Sequence, residues 1–169
     1  MHGLIYFVGN LDLKPFLQLK TEDFFRDWQL HFLGAVKVLQ AYLPHLLQVE
    51  GSSVVLFSSV AAFQGMPFHA STASCKGAVE ALMRSLAAEY APKVRFNAVA
   101  PSLIETKMAE TLLNTVQKKE SMSKRHPLQR VGTAKDIAEM VLFLLGDKSL
   151  WITGQVFHVD GGLSTLKIS

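Results

Sequence analysis

Short apolar runs alternating with long stretches of helical periodicity constrain this chain more than any other feature. Leu4-Ile5-Tyr6-Phe7-Val8 is uncharged, β-prone and ended by Gly9-Asn10, and Val54-Val55-Leu56-Phe57 stops at Ser58-Ser59. Runs that are apolar at every position, not at alternate ones, suit strands covered on both faces, as in a parallel sheet between helices. Val94 to Val99, closed by Pro101, and Val156 to Val159, before Asp160-Gly161-Gly162, read as two further strands. From Thr21 to about Leu47, Phe24, Trp28, Phe32, Val36 and Leu39 recur at threes and fours. Glu22, Asp23 and Asp27 fall in the early turns that the helix dipole favours for acids, and Thr21 is the expected N-cap. Alanine-rich Ser71 to Tyr90 predicts a second long helix, ended by Ala91-Pro92. Thr106 to Arg125 predicts a helix with one polar face, either a lid or a solvated element, and Thr133-Ala134-Lys135-Asp136 opens a helix running to Leu145. Strands joined by helices need right-handed crossovers, so the fold class is α/β with a parallel sheet of about four strands and flanking helices.

Composition narrows the function. The 169 residues are 49% hydrophobic and 18% charged, enough to build one core and too apolar for a disordered chain. A net charge of +3 implies no nucleic acid, and no apolar run approaches the roughly 20 residues of a membrane-spanning helix. A single cysteine, Cys75, makes no internal disulfide, and no leader pattern opens the sequence, so a cytoplasmic location is expected. No metal site is read. In open parallel sheets ligands bind beyond the carboxyl ends of the strands, which here directs attention to Gly9-Asn10, Ser58-Ser59 and Pro101 through Thr106.

These residues resemble the short-chain dehydrogenase/reductase family over essentially the whole chain. Phe57-Ser58-Ser59 resembles the catalytic serine segment, with Ser59 in the catalytic place. Thr72-Ala73-Ser74-Cys75-Lys76-Gly77-Ala78 resembles the segment of the Tyr-x-x-x-Lys pair, thirteen residues after Ser59. Arg95 through Thr106 resembles the stretch around the nicotinamide, and Ile152-Thr153-Gly154-Gln155 with Val159-Asp160-Gly161-Gly162 resembles the C-terminal signature. The resemblance implies a Rossmann-like doubly wound sheet and an NAD- or NADP-dependent hydride transfer between carbonyl and alcohol. It further implies that Ser59 holds the substrate oxygen, that Lys76 holds the ribose, and that Pro101, Ile104 and Thr106 contact the carboxamide and phosphate. Asn10, at the end of the first strand, completes the cofactor-side set.

Three departures qualify that expectation. No G-x-G-x-x-G occurs, and Met1 stands just before the family's fourth strand. The chain therefore reads as a single truncated domain, residues 1–169, without the glycine-rich βαβαβ half that cradles the pyrophosphate. Thr72 stands where the family has its proton-passing tyrosine, and an aliphatic hydroxyl does not ionise in the usual range. His31 stands where the family places a relay asparagine; it is either part of a rewired relay or a partly buried polar residue of the long helix. The expected activity is accordingly an impaired or absent oxidoreductase, the alternative being a non-catalytic pseudoenzyme or an interaction subunit completed by a partner chain. Several residues stay open between two roles. Lys76 is functional or a surface lysine, Ser59 catalytic or a turn cap, and His69 a neighbour of the vacated tyrosine space or an exposed loop residue. Cys75 reads as core, and Lys118-Lys119 with Lys124-Arg125 either steer an anion or solvate a helix. Small residues Gly34, Ala35, Ala73, Gly77, Ala78 and Ala81 in helices 21–47 and 71–90 suggest a homodimer or homotetramer, and the uncharged edge 4–8 suggests strand pairing with another chain.

Overall fold

In the computed structural model, which describes residues 1–167, four parallel strands form one sheet in chain order. Strand β1 (Gly3–Tyr6) leads through α1 (Thr21–Asp27), a π-helical segment (Trp28–Leu33) and α2 (Gly34–Leu46) to β2 (Ser52–Phe57). Helix α3 (Ala70–Tyr90) connects β2 to β3 (Val94–Pro101). Then α4 (Glu110–Leu113), α5 (Val116–Lys124) and α6 (Ala134–Leu145) precede β4 (Val156–Val159). The α/β class and the four-strand parallel sheet expected from the sequence are both present.

The sheet is covered on both faces. On one, Leu39, Leu43 and Leu46 of α2 and Val79, Met83 and Ala87 of α3 pack on Tyr6, Val54, Leu56, Phe96 and Ala98. On the other, Ile137, Val141 and Leu144 of α6 pack on Val55 and Val99. Consecutive β2 residues thus serve opposite cores, which accounts for its uninterrupted apolar run. The polar residues of β3 are absorbed locally. Buried Arg95 donates to the carbonyls of Leu144 and Ser149 at 2.9 and 3.0 Å, supplying donors at the end of α6 where free carbonyls accumulate. Fully buried Asn97 donates to Ile152 O and accepts from Gln155 N, anchoring the approach to β4.

Several predicted boundaries change. β1 ends at Tyr6 and not at Val8: Phe7 is 70% exposed and leaves the ladder, so that Gly9-Asn10 can turn toward α1. Thr21 is the first helical residue and not the cap; the N-cap is Lys20, whose backbone N–H donates to Asp23 Oδ2 at 3.0 Å. Residues 106–125 do not form one helix. The chain breaks at Asn114-Thr115, and the Thr115 hydroxyl caps α5 by accepting from Lys118 N at 3.2 Å. Gly34 and Ala35, expected at a subunit contact, face the molecule's own core: Ala35 is fully buried, and a Cβ on Gly34 would overlap the Tyr6 hydroxyl.

The π-helical segment has an identifiable cause. Widening the helix at Trp28–Leu33 releases a carbonyl from the regular ladder, and the Tyr6 hydroxyl donates to Leu30 O at 2.6 Å. Gly34 leaves room for that hydroxyl. Gly34→Ala is therefore expected to destabilise the chain by about 1–3 kcal/mol through overpacking. In a Tyr6→Phe background, which removes the overlapped oxygen, the same substitution should lose most of that effect. A double-mutant cycle from urea unfolding measures the coupling, and strict additivity would contradict the contact.

Candidate active site

Parallel strands bring their carboxyl ends to one edge, and there the chain encloses a cavity of about 300 Å³. Its wall takes Gly9 and Asn10 after β1, Phe57 to Val60 at the end of β2, Thr72 and Lys76 from α3, and Pro101 to Ile104 after β3. Met108, Leu112 and Met122 close it from the α4–α5 side, where a lid was one of two expectations. His31 reaches it from the π-helical segment.

Ser59 does two things at once. Its Oγ accepts from Ala61 N at 3.2 Å, capping a short 3₁₀ turn, while its own hydrogen meets no acceptor among the described residues. Neighbouring Ser58 is spent on Glu80 at 2.6 Å. Thr72 and Lys76, one turn apart, share the inward face of α3. Lys76 is not a surface lysine: it is 8% exposed, and its Nζ donates to Phe57 O at 2.8 Å. Burial pushes its ammonium down to about 8, Cys75 opposing slightly. The Thr72 hydroxyl is buried without a hydrogen-bond partner.

His31 is 1% exposed, more deeply buried than the sequence suggested. Its Nε2 lies 2.6 Å from Asn10 Oδ1, Asn10 Nδ2 donates to Asp27 Oδ1 at 2.9 Å, and Ser71 Oγ donates to Asp27 Oδ2 at 2.7 Å. The polarity propagates from the carboxylate. Asp27 only accepts, so Asn10 turns its amide nitrogen to Asp27 and its oxygen to His31, and Nε2 must carry the ring hydrogen. Nδ1 is left as a lone-pair acceptor with no partner. Burial holds the imidazole down at about 4; the Lys76 charge adds to this and Asp27 opposes it. Gly9 is required by this packing, because a Cβ there would lie 2.7 Å from His31 Cε1. Sequence reasoning missed Asp27 and Ser71. The available signal was an acid four residues before His31, on the same helix face.

Other candidates separate clearly. Ile104 packs on Gly132, and Pro101, Ile104 and Thr106 all line the cavity, Thr106 at its exposed rim. His69 is an exposed loop residue whose Nδ1 lies 2.7 Å from Pro67 O, although it too borders the cavity. Cys75 is buried, its thiol pushed up to about 11 chiefly by burial, so it is core and not nucleophile. Lys119 pairs with Glu105 at 2.7 Å and Lys118 donates to Thr111 O and Asn114 Oδ1, while Arg125 borders the cavity. A dinucleotide finds a partial fit. Lys76 with one donor used, the unpartnered Thr72 hydroxyl and the bare His31 Nδ1 suit the hydroxyl-rich ribose end. No glycine-rich turn in these 169 residues offers amides to the pyrophosphate.

These assignments predict two titrations. Nitrogen-15 NMR should show His31 neutral at pH 7 with Nδ1 unprotonated, and Asn10→Ala should mix the tautomers. Between pH 6.5 and about 4 the unfolded chain takes a proton that folded His31 refuses, so stability should fall on acidification, by an amount of order 3 kcal/mol. For Lys76 the midpoint should lie near 8. Because the folded chain loses that proton first, this group makes stability rise as pH climbs from about 8 toward the ordinary lysine value of 10.5. A Lys76 resonance titrating with the bulk lysines would contradict the site.

Comparison with known proteins agrees with this architecture. The family described as enoyl-(acyl carrier protein) reductase matches residues 1–164. A tropinone reductase homolog of Arabidopsis thaliana is 35% identical over 165 residues, covering 97% of this chain and 51% of that protein. A 3-oxoacyl-[acyl-carrier-protein] reductase of Thermotoga maritima is 35% identical over 148 residues, covering 87% of this chain and 59% of that one. The structure of a gluconate 5-dehydrogenase from Burkholderia cenocepacia in complex with NADP and tartrate superposes with a TM-score of 0.92 at 25% identity, covering 99% of this chain and 66% of the other. The chain thus spans between half and three fifths of the length of these two curated relatives. By sequence match and by fold, it belongs to the short-chain dehydrogenase/reductase family.

Proposed function

We propose that the chain forms the reaction side of an NAD(P)-dependent oxidoreductase acting between a carbonyl and an alcohol, with proton transfer impaired by Thr72. The observation that carries this reading is the convergence of Ser59, Thr72, Lys76 and His31 on one cavity, with Lys76 buried and held against Phe57 O. Bound NAD(P) supplies the hydride donor or acceptor. The Ser59 hydroxyl donates to the substrate oxygen, and Lys76 holds the ribose hydroxyls with its remaining N–H groups. Thr72 sits where a phenol is needed and passes no charge. His31, neutral well below pH 7, orients a hydroxyl or water through Nδ1 but does not itself deliver a proton at neutral pH.

A specific observation also favours a second reading, an interaction subunit completed by another chain. Phe7, Val8, Phe16, Leu17 and Phe25 are exposed apolar residues, and β1 is an edge strand with one neighbour. Pairing at the 4–8 edge, which the ladder itself carries only to Tyr6, would cover part of that surface. Assembly as a homodimer or homotetramer is proposed through the outer face of α3, where Ser74, Ala81, Ser85 and Ala88 are small and exposed. α2 contributes through residues other than Gly34 and Ala35. No helix among the described residues is long and apolar enough to cross a membrane, and the proposed location is cytoplasmic.

Titration of the chain with NADH and with NADPH tests the proposal. A saturable change in cofactor fluorescence at millimolar concentration, weakened by Lys76→Met, is expected; none at all would leave the oxidoreductase reading without support. Thr72→Tyr should change turnover by less than about tenfold, because a phenol alone does not replace a phosphate cradle. A gain of ~10²-fold or more would identify Thr72 as the main defect.

A further inference from the structure

The cavity holds a second polar pair that the oxidoreductase reading does not use. Ser102 follows β3 and meets His126, which stands in the turn after α5. Ser102 Oγ lies 2.9 Å from His126 Nε2, and His126 Nδ1 lies 2.9 Å from the carbonyl oxygen of Met122. A carbonyl only accepts, so Nδ1 carries the ring hydrogen, Nε2 carries the lone pair, and the Ser102 hydroxyl donates to it. The imidazole is 3% exposed and held in place. The His126 carbonyl accepts from Gln129 N at 2.8 Å and Gln129 Nε2 at 3.2 Å, and Gly161 packs against the ring. The backbone N–H groups of Leu103 and Ile104, directly after the serine, meet no acceptor among the described residues. A hydroxyl within reach of a base, a base oriented by a third group and unspent N–H donors beside them are the parts of an activated nucleophile.

We propose that Ser102 and His126 form an acyl-transfer pair that takes small esters with apolar acyl groups. Phe7, Leu13, Met66, Leu103 and Leu112 provide the apolar wall for the acyl chain. Ser102 Oγ attacks the ester carbonyl carbon while its proton passes to His126 Nε2. The tetrahedral centre collapses with cleavage of the C–O bond to the leaving alcohol, which takes that proton from Nε2. Water then attacks the acyl-serine, giving its proton to Nε2, and the carboxylic acid leaves as Ser102 recovers its hydrogen. The Met122 carbonyl stabilises a charged imidazole less than a carboxylate would, so turnover is slow and covalent capture is the better readout. The reaction uses water alone and no dinucleotide, so it can fail while the oxidoreductase reading stands, and the reverse.

Diisopropyl fluorophosphate with peptide mass mapping, and release of p-nitrophenol from p-nitrophenyl butyrate, test the pair on the folded chain. One adduct on Ser102 is expected, absent in Ser102→Ala and formed about 10²-fold more slowly in His126→Gln, which keeps a hydrogen bond but no base. Ser74→Ala, an exposed serine bonded to Ala70 O, should label like the parent chain. Thermal unfolding of each variant confirms folding. If His126→Gln does not fold, the pH dependence of labelling in the parent chain replaces it and should follow the titration of His126 seen by NMR. No adduct on Ser102 in the folded parent chain overturns the proposal. So does an unchanged rate in His126→Gln, or labelling that ignores the His126 titration.

Discussion

The pairing of β2 with β3, buried on both faces, is the constraint from which the remaining structure follows. Its register runs from Ser52 against Val94 to Phe57 against Val99, so both strands reach their carboxyl ends at the same edge. Ser58 and Ser59 leave one strand where Pro101 and Ser102 leave the other. Residues more than forty positions apart in sequence are thereby placed in one wall. Lys76 fastens α3 to that edge through Phe57 O, and so orients Thr72 as well.

Burial acts twice in this molecule. It supplies most of the folding energy through the two apolar layers, and it also sets the chemistry of the few polar groups left inside. Lys76 and His31 are both pushed toward their neutral forms, and each weakens the fold when it is charged. The protein carries these unfavourable groups in the one place where unpartnered hydrogen-bonding atoms also accumulate, at His31 Nδ1 and Thr72 Oγ1. A packed interior that served stability alone would satisfy or remove such atoms. Their concentration beside a cavity is the physical mark of a site, whichever chemistry it performs.

Local sequence signals succeeded where local physics decides. The Thr133 cap of α6, with Asp136 answering from the third helical position, is visible in four residues because both hydrogen bonds of the capping box lie within them. The end of β1 was not visible, because Phe7 and Val8 are as β-prone as the residues before them; contact with α1 and the π-helical segment draws them off the ladder. The widened turn at Trp28–Leu33 depends on Tyr6, more than twenty residues away. Thr115 was a readable cap inside residues 106–125, but the polar periodicity of that segment masked the break.

The sequence by itself determined the α/β class, the four strands and their connecting helices, and the identities of Ser59, Thr72 and Lys76 at matching spacing. Those properties rest on hydrophobic period and on helical geometry, both of which are written along the chain. Tertiary structure alone decided that Lys76 is buried, that Asn10 and Asp27 set the tautomer of His31, and that Ser102 meets His126. Hydrogen-bond polarity and desolvation depend on which distant groups are brought within 3 Å of one another, and no pattern of neighbours along the sequence carries that information.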